Sequence, residues 1–288
     1  MAQLLPILYA IAALGGLGIL FGLALGLADK KFAVVTDERV SAVRAAVAGA
    51  NCGACGHAGC DAYAEAVVRG DAKVTACTPG GERTVKAISA IMGVDADALE
   101  PMVARVCCQG TCERVSPRYD YGGVGSCRAV SGISGGPNAC EFGCVGYGDC
   151  LVVCAFGAIS MLDGIAMIDD DVCTGCGMCI SACPRGIIKM LPKDQTVVVM
   201  CQNEAIGRIA RLQCKTACVG CKRCEKTCPT ESIKVVKGVA RIDESTCTRC
   251  GACIPGCPMN CIVNFYERDP AAQAAATAQA ELINIEIN

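Results

Sequence analysis

Shifted against itself by 74 positions, the chain lays nine cysteines on nine others without a gap. Cys127, Cys140, Cys144, Cys150, Cys154, Cys173, Cys176, Cys179 and Cys183 fall on Cys201, Cys214, Cys218, Cys224, Cys228, Cys247, Cys250, Cys253 and Cys257. Val145, Gly146, Gly164, Ile168 and Asp169 travel with them onto Val219, Gly220, Gly238, Ile242 and Asp243. Self-similarity at a fixed period marks a duplicated structural unit. The unit constrains the fold severely, because its cysteines run as C-x2-C-x2-C-x3-C. That spacing wraps a backbone round an iron–sulfur cluster, and a disulfide framework has no reason to repeat it.

The composition agrees. The chain has 288 residues with 27 cysteines, one histidine, no tryptophan and 4% aromatic residues. Modules so poor in large side chains need staples, here metal clusters. An odd cysteine count disfavours a fully paired secreted scaffold and points to a reducing compartment. A net charge of −2 leaves no electrostatic footprint for nucleic acid. No G-x-G-x-x-G opens a strand–helix unit and no Walker motif occurs, so no nucleotide is expected. With one histidine and no acid–base pair, the chemistry left is one-electron transfer.

In paired motifs of this kind the first three cysteines hold one cluster and the fourth reaches to the other. This predicts three [4Fe–4S] sets: Cys218, Cys221, Cys224 with Cys257; Cys247, Cys250, Cys253 with Cys228; and Cys173, Cys176, Cys179 with Cys154. The fourth set has a defect. Tyr147 stands at the position matching Cys221 and leaves Cys144, Cys150 and Cys183 one ligand short. Cys140, four residues before Cys144, is the substitute favoured here, and a three-cysteine [3Fe–4S] site is the alternative. Cys107, Cys108, Cys112, Cys127, Cys201, Cys214 and Cys261 then remain. A sixth cluster could take Cys108, Cys112 and Cys127 with Cys201 or Cys214. Between the motifs, apolar runs at 159–162 and 165–168 read as a hairpin turning through Asp163-Gly164. Those at 233–236 and 239–242 do the same through Lys237-Gly238.

Ahead of the repeat, Cys52, Cys55, Cys60 and Cys77 make a glycine-rich C-x2-C-x4-C-x16-C. One more [4Fe–4S] cluster is expected there, with structural zinc as the competing reading. His57 is expected to pack beside this site, which four thiolates already complete. Five clusters are therefore expected, and six is the most that 27 cysteines can hold at four each. Helices are expected over 37–48 and 82–106, the second half of the latter started by Pro101. Residues 107–137 read as irregular and in need of metal ligation. Residues 4–28 are 25 apolar or uncharged residues, enough to span a bilayer, and Lys30 and Lys31 would keep the rest of the chain in the cytoplasm. A cleaved signal peptide would want a basic start, which is missing. Gly18, Gly22 and Gly26 share one helix face suited to packing on other membrane helices. Arg208, Arg211, Lys215, Lys222, Arg223, Lys226 and Arg249 crowd near the last two motifs, a docking face for an acidic carrier or a plain solvated surface.

A single N-terminal span, Cys52-Gly-Ala-Cys-Gly-x3-Cys60 with Cys77 before Pro-Gly-Gly, Cys108-Gln-Gly-Thr-Cys112, and then ferredoxin modules resemble the B subunits of Rnf complexes over essentially the whole chain. The resemblance implies an electron-input subunit of a membrane-bound ferredoxin:NAD+ oxidoreductase that couples electron flow to Na+ or H+ translocation. It implies soluble ferredoxin as donor, other membrane and peripheral subunits as partners, and NAD and flavin held elsewhere. It also implies a single-pass anchor in the lipid of the inner (cytoplasmic) membrane, with the cluster domains in the cytoplasm. Tyr147 and Ala155 depart from ferredoxin form. A hydrogenase-linked polyferredoxin and a non-redox metal-binding protein are the rival readings. The expected fold class is α+β: an anchor at 1–29, a helical [4Fe–4S] domain at 30–100 and an irregular linker at 101–136. Two tandem two-cluster ferredoxin-like modules at 137–195 and 196–268 and a tail at 269–288 complete it.

Overall fold

The apolar run forms one unbroken helix, α1 (Leu4–Phe32, 29 residues). The computed structural model of the chain describes residues 4–32, 37–96 and 100–265, so the tail lies outside it. Leu14, Leu17, Leu20 and Leu25 on α1 stand 58–74% exposed. Among the described residues no helix is long and apolar enough to cross a membrane. The side chains of 4–8, 10 and 11, at the start of α1, are not among those described.

Three helices make the next unit. α2 (Glu38–Ala46) is capped by Asp37, whose carboxylate accepts the Arg39 N–H. It packs with α3 (Cys60–Arg69) and α4 (Gly81–Met92) around Val43, Tyr63, Val67 and Ile88. The Thr84 hydroxyl ties α4 to α2 by donating to the Ala46 carbonyl at 2.9 Å.

Pro101 starts a strand, not the expected helix. β1 (Met102–Val106) lies antiparallel to Ile188–Pro192. Val103 and Val106 are β-branched, and four of the five side chains are buried, which a strand between packed layers allows and propensity favours. The Pro101 carbonyl accepts from Lys193, so its missing N–H costs no ladder bond. Short elements come next: α5 (Cys127–Ser131), α6 (Asp149–Val152), β2 (Ile159–Leu162), β3 (Ile165–Ile168), α7 (Met178–Ala182) and β4 (Ile188–Pro192). The second half has β5 (Val197–Val199), α8 (Gly207–Gln213), α9 (Arg223–Thr227), β6 (Ile233–Val236), β7 (Val239–Ile242) and β8 (Ile262–Asn264), with α9, β6, β7 and β8 at the 74-residue images of α6, β2, β3 and β4.

The hairpins β2–β3 and β6–β7 occupy the expected residues. Their turns hold Asp163 and Gly164 at φ 46° and 79°, and Lys237 and Gly238 at 50° and 80°. Two successive positive φ values make the tight turn whose twist matches the strands. Each half thus has an inner hairpin and an outer two-stranded sheet, β1–β4 or β5–β8. Arg105 on β1 is fully buried. It pairs with Asp170 at 2.6 Å, donates to the Lys193 and Gln195 carbonyls, and stacks on the Phe265 ring 4.4 Å from its centre. One side chain therefore ties the two halves together.

Candidate iron–sulfur sites

Four loops share one backbone shape. In each, the residues on either side of the second motif position have positive φ: Gly146 and Gly148, Gly175 and Gly177, Gly220 and Lys222, Arg249 and Gly251. Two left-handed residues so placed curl the chain and turn N–H groups inward, where a thiolate-bound cluster needs donors. The Arg249 N–H, for example, reaches the Cys247 sulfur at 3.4 Å.

The curled loops bring thiols to shared, mainly apolar cavities. Cys218, Cys221, Cys224 and Cys257 line one with Val235, Ala240 and Ile262. Cys228, Cys247, Cys250 and Cys253 line a second with Val197, Ile233 and Ile242. Cys154, Cys173, Cys176 and Cys179 are mutual neighbours: burial pushes the Cys179 thiol up to about 12, and the other three add to it. Among the described residues, no His, Cys, Asp and Glu side chains group in threes or more around a point fit for one metal ion.

Beside the incomplete set the structure places a cysteine other than Cys140. Cys144, Cys150 and Cys183 share their cavity with Cys127, and Cys140 is absent from its lining. Burial pushes the Cys150 thiol up to about 12, with Cys144, Cys127 and Cys183 the next largest contributors. Tyr147 meanwhile packs edge-on against Tyr121, with ring centres 5.8 Å apart, beside Val130 and Val145. Asp149 holds Cys127 in place. Its carboxylate accepts the Cys127 N–H at 2.9 Å, the Arg128 N–H at 3.1 Å and the Ser126 hydroxyl at 3.0 Å. Burial works against the Asp149 charge, but these donors outweigh it and hold the carboxyl below the usual range. Asp149 lies 22 residues from Cys127, beyond the reach of a local motif.

In the helical unit Cys55, Cys60 and Cys77 pack into one core with Tyr63. Asn51 shapes the loop by accepting the Cys60 N–H at 2.9 Å. The His57 ring lies 5.7 Å from that of Tyr63. Cys52 faces the next unit: burial pushes the Cys176 thiol up, and Cys52 adds to it alongside Cys154 and Cys173. Neighbouring sets come together in two runs: Cys179 also raises Cys150 in the first half, and Cys224 raises Cys253 in the second.

Cys261 lies in the cavity of Cys218 and Cys257, with its sulfur 3.5 Å from that of Cys257. Its thiol hydrogen bond holds Cys218 down to about 6 and Cys257 to about 5, and raises Cys261 itself. Cys112 is exposed; its N–H donates to the Asp163 carbonyl, which sets it against the β2–β3 turn. Of the basic residues, Arg208, Arg211, Lys215, Lys222, Arg223 and Lys226 are exposed, and Arg249 pairs with Asp194.

Family models place the chemistry independently. One described as "Putative Fe-S cluster" matches residues 48–79, a 4Fe-4S binding domain matches 166–189, and a 4Fe-4S dicluster domain matches 217–273. The chain is 46% identical, over 91% of its length and 79% of the relative's, to the B subunit of the Na(+)-translocating ferredoxin:NAD(+) oxidoreductase complex of Acetobacterium woodii. It is 41% identical to the proton-translocating counterpart of Clostridium ljungdahlii, covering 85% and 88% of the two chains. To the B subunit of the ion-translocating oxidoreductase complex of Methanosarcina acetivorans it is 38% identical, covering 88% and 96%.

Proposed function

Because the chain belongs to the family of B subunits of ion-translocating ferredoxin:NAD+ oxidoreductase complexes, we propose that it is a wire of five or more [4Fe–4S] clusters, entered through its second ferredoxin-like module and left through its N-terminal unit. It is an electron-transfer subunit of an oxidoreductase complex, and 4Fe–4S clusters are its cofactors. The observation that supports the wire is the adjacency of thiol sets in two runs, Cys52 beside Cys176 and Cys179 beside Cys150 in one, and Cys224 beside Cys253 in the other.

The donor sets fit the group: four thiols each, inward N–H donors and apolar walls. Bound there, the clusters supply one-electron oxidation and reduction. The chain's part is to hold and tune. Cys52, Cys55, Cys60 and Cys77 hold the first; Cys154, Cys173, Cys176 and Cys179 the second; and Cys127, Cys144, Cys150 and Cys183 the third. Cys218, Cys221, Cys224 and Cys257 hold the fourth, and Cys228, Cys247, Cys250 and Cys253 the fifth. Apolar linings such as Val235, Ala240 and Ile262 exclude water, and loop N–H groups offset thiolate charge.

Electrons enter where ligands reach the surface. Cys221 and Cys250 are exposed, beside the exposed charges of Lys222, Arg223 and Lys226. Such a face suits an acidic carrier, here soluble ferredoxin. At the other end, α1 anchors the chain in the inner (cytoplasmic) membrane as a single span. The reading is supported by the uncharged run at 4–28 in the sequence and by the exposure of Leu14, Leu17, Leu20 and Leu25 among the described residues. Lys30 and Lys31 put the cluster-bearing part on the cytoplasmic side, against the other subunits.

The test is reduction of the purified complex by reduced ferredoxin, followed by stopped-flow absorbance and EPR. Exchange of Lys222, Arg223 and Lys226 for Gln should slow reduction several-fold at low salt and flatten its salt dependence. An unchanged rate removes the docking face, and zinc without an EPR signal on reduction removes the wire.

A further inference from the structure

The thiols left outside the five sets are not scattered. β1 and β5 end alike, in Val106-Cys107-Cys108-Gln109 and Val199-Met200-Cys201-Gln202. They also bond alike. The Cys107 N–H donates to the Ile187 carbonyl at 2.8 Å, and the Met200 N–H to the Cys261 carbonyl at 2.7 Å. The Gly110 N–H then reaches the Cys108 sulfur at 3.4 Å, and the Asn203 N–H the Cys201 sulfur at 3.5 Å. Cys108, rather than Cys127, is therefore the structural counterpart of Cys201. Cys140 and Cys214 are counterparts already, each four residues before the first ligand of its half.

These two pairs converge. A methyl group on Gly143 would lie 3.5 Å from both the Cys108 and Cys140 sulfurs. One on Gly110 would lie 3.5 Å from the Cys108 sulfur and 3.8 Å from that of Cys214. Asn203 joins the remaining side, its Nδ2 donating to the Cys140 sulfur at 3.5 Å while its N–H serves Cys201. All four cysteines are buried. Each has a donor two residues downstream: Gly110, Phe142, Asn203, and the Thr216 hydroxyl 3.5 Å from Cys214. A buried cysteine is commonly a small core residue. Four from separate segments, each with a donor aimed at sulfur, do more than packing requires.

We infer that Cys108, Cys140, Cys201 and Cys214 hold a sixth [4Fe–4S] cluster across the junction of the two ferredoxin-like modules, two ligands from each. The inference rests on the reading of the chain as a cluster wire, and it closes a break in it. Cys108 sits beside Cys144, and the Cys201 sulfur accepts the Cys218 N–H at 3.3 Å, so the site touches the first ligand of the set on either side. One electron arriving from the Cys218 set leaves to the Cys144 set, with no net change at the junction. Cys112 at the β2–β3 turn and Cys127 in the first-module cavity take no part in it. Six sets use 24 of the 27 cysteines and leave Cys107, Cys112 and Cys261.

Native mass spectrometry of the anaerobically purified full chain should give the mass of six [4Fe–4S] clusters. Five would overturn the junction site and leave the wire standing, whereas zinc or no cluster would overturn both. A C201A/C214A double variant should lose about four iron and about four sulfide per chain, and C112A none. Retention of wild-type iron by the double variant, or a four-iron loss in C112A, would overturn the ligand set. Because the wild-type mass needs no variant, misfolding of the double variant leaves the first measurement decisive.

Discussion

The two ferredoxin-like modules share a loop backbone but not the source of one cavity thiol. In the second, Cys221 sits between Gly220 and Lys222 at φ 65° and 59° and lines the cavity itself. In the first, Tyr147 sits between Gly146 and Gly148 at φ 81° and 74°, and the thiol in the cavity comes from Cys127, 20 residues upstream. The loop therefore keeps its shape whether or not its second position binds. What a cluster site requires is four sulfurs round one cavity, and a duplicated module can draw the fourth from an insertion once an acceptor such as Asp149 is there to fix it.

The largest expected effect tests that exchange directly. Cys127→Ala should cost the first module its Cys144-centred cluster, read as about four iron per chain and one EPR component. Adding Tyr147→Cys should restore it, because the loop is already curled as it is around Cys221. If C127A keeps the cluster, or if only Cys140→Ala removes that EPR component, the fourth ligand is not Cys127.

A second difference lies in the outer sheets. The residue before the last strand position is Arg105 in β1 and Val198 in β5, both buried. Removing one member of a buried, hydrogen-bonded ion pair costs about 3–5 kcal/mol, because the partner's charge stays behind. Arg105→Ala should lose that much in anaerobic guanidinium unfolding followed by circular dichroism, with the further loss of the Phe265 contact. A change under ~1 kcal/mol would place Arg105–Asp170 among ordinary surface pairs and free the halves from that tie.

What can be read from the sequence depends on how local each constraint is. The hairpins are legible because Asp163-Gly164 and Lys237-Gly238 fix turn and register within a short stretch. Gathering of Cys218, Cys221, Cys224 and Cys257 round one cavity is legible because spacing and crossing go together. Met102–Val106 reads as helix and folds as strand because its strand character depends on a partner 86 residues away, Ile188–Pro192, which no local pattern announces. That Cys127 rather than Cys140 lines the Cys144 cavity is hidden for a related reason. The 74-residue shift lays Cys127 on Cys201, whereas the strand ends match Cys201 with Cys108, and the stretch from Cys108 to Cys140 is longer by 19 residues than that from Cys201 to Cys214. The shared Val-x-Cys-Gln at 106–109 and 199–202 is the signal that could have exposed it.

Asp149 is matched in the second module by Arg223, which has no such task because Cys221 is held by its own loop. Asp149→Ala should cost about 1–2 kcal/mol, the usual worth of a side chain capping a helix start. It should also speed loss of the Cys144-centred cluster to an iron chelator. Arg223→Ala should leave both module rates as they were. Equal chelation rates in D149A and the wild type would mean that Cys127 is positioned by packing alone.

The smallest effect separates the modules by a single sulfur. Cys261 in the second module corresponds to Ile187 in the first, and each lines its module's cavity. A thiol beside Cys257 can donate to the thiolates there, and donors to cluster sulfurs favour the reduced, more negative state. The Cys218-centred cluster should therefore have the higher potential of the pair. Cys261→Ala should lower it toward the first-module value, and Ile187→Cys should raise the first-module value. Redox titration followed by EPR reads both. A Cys261→Ala potential equal to that of the wild type would leave the thiol as filler, and the two modules would then differ in the source of their ligands but not in their tuning.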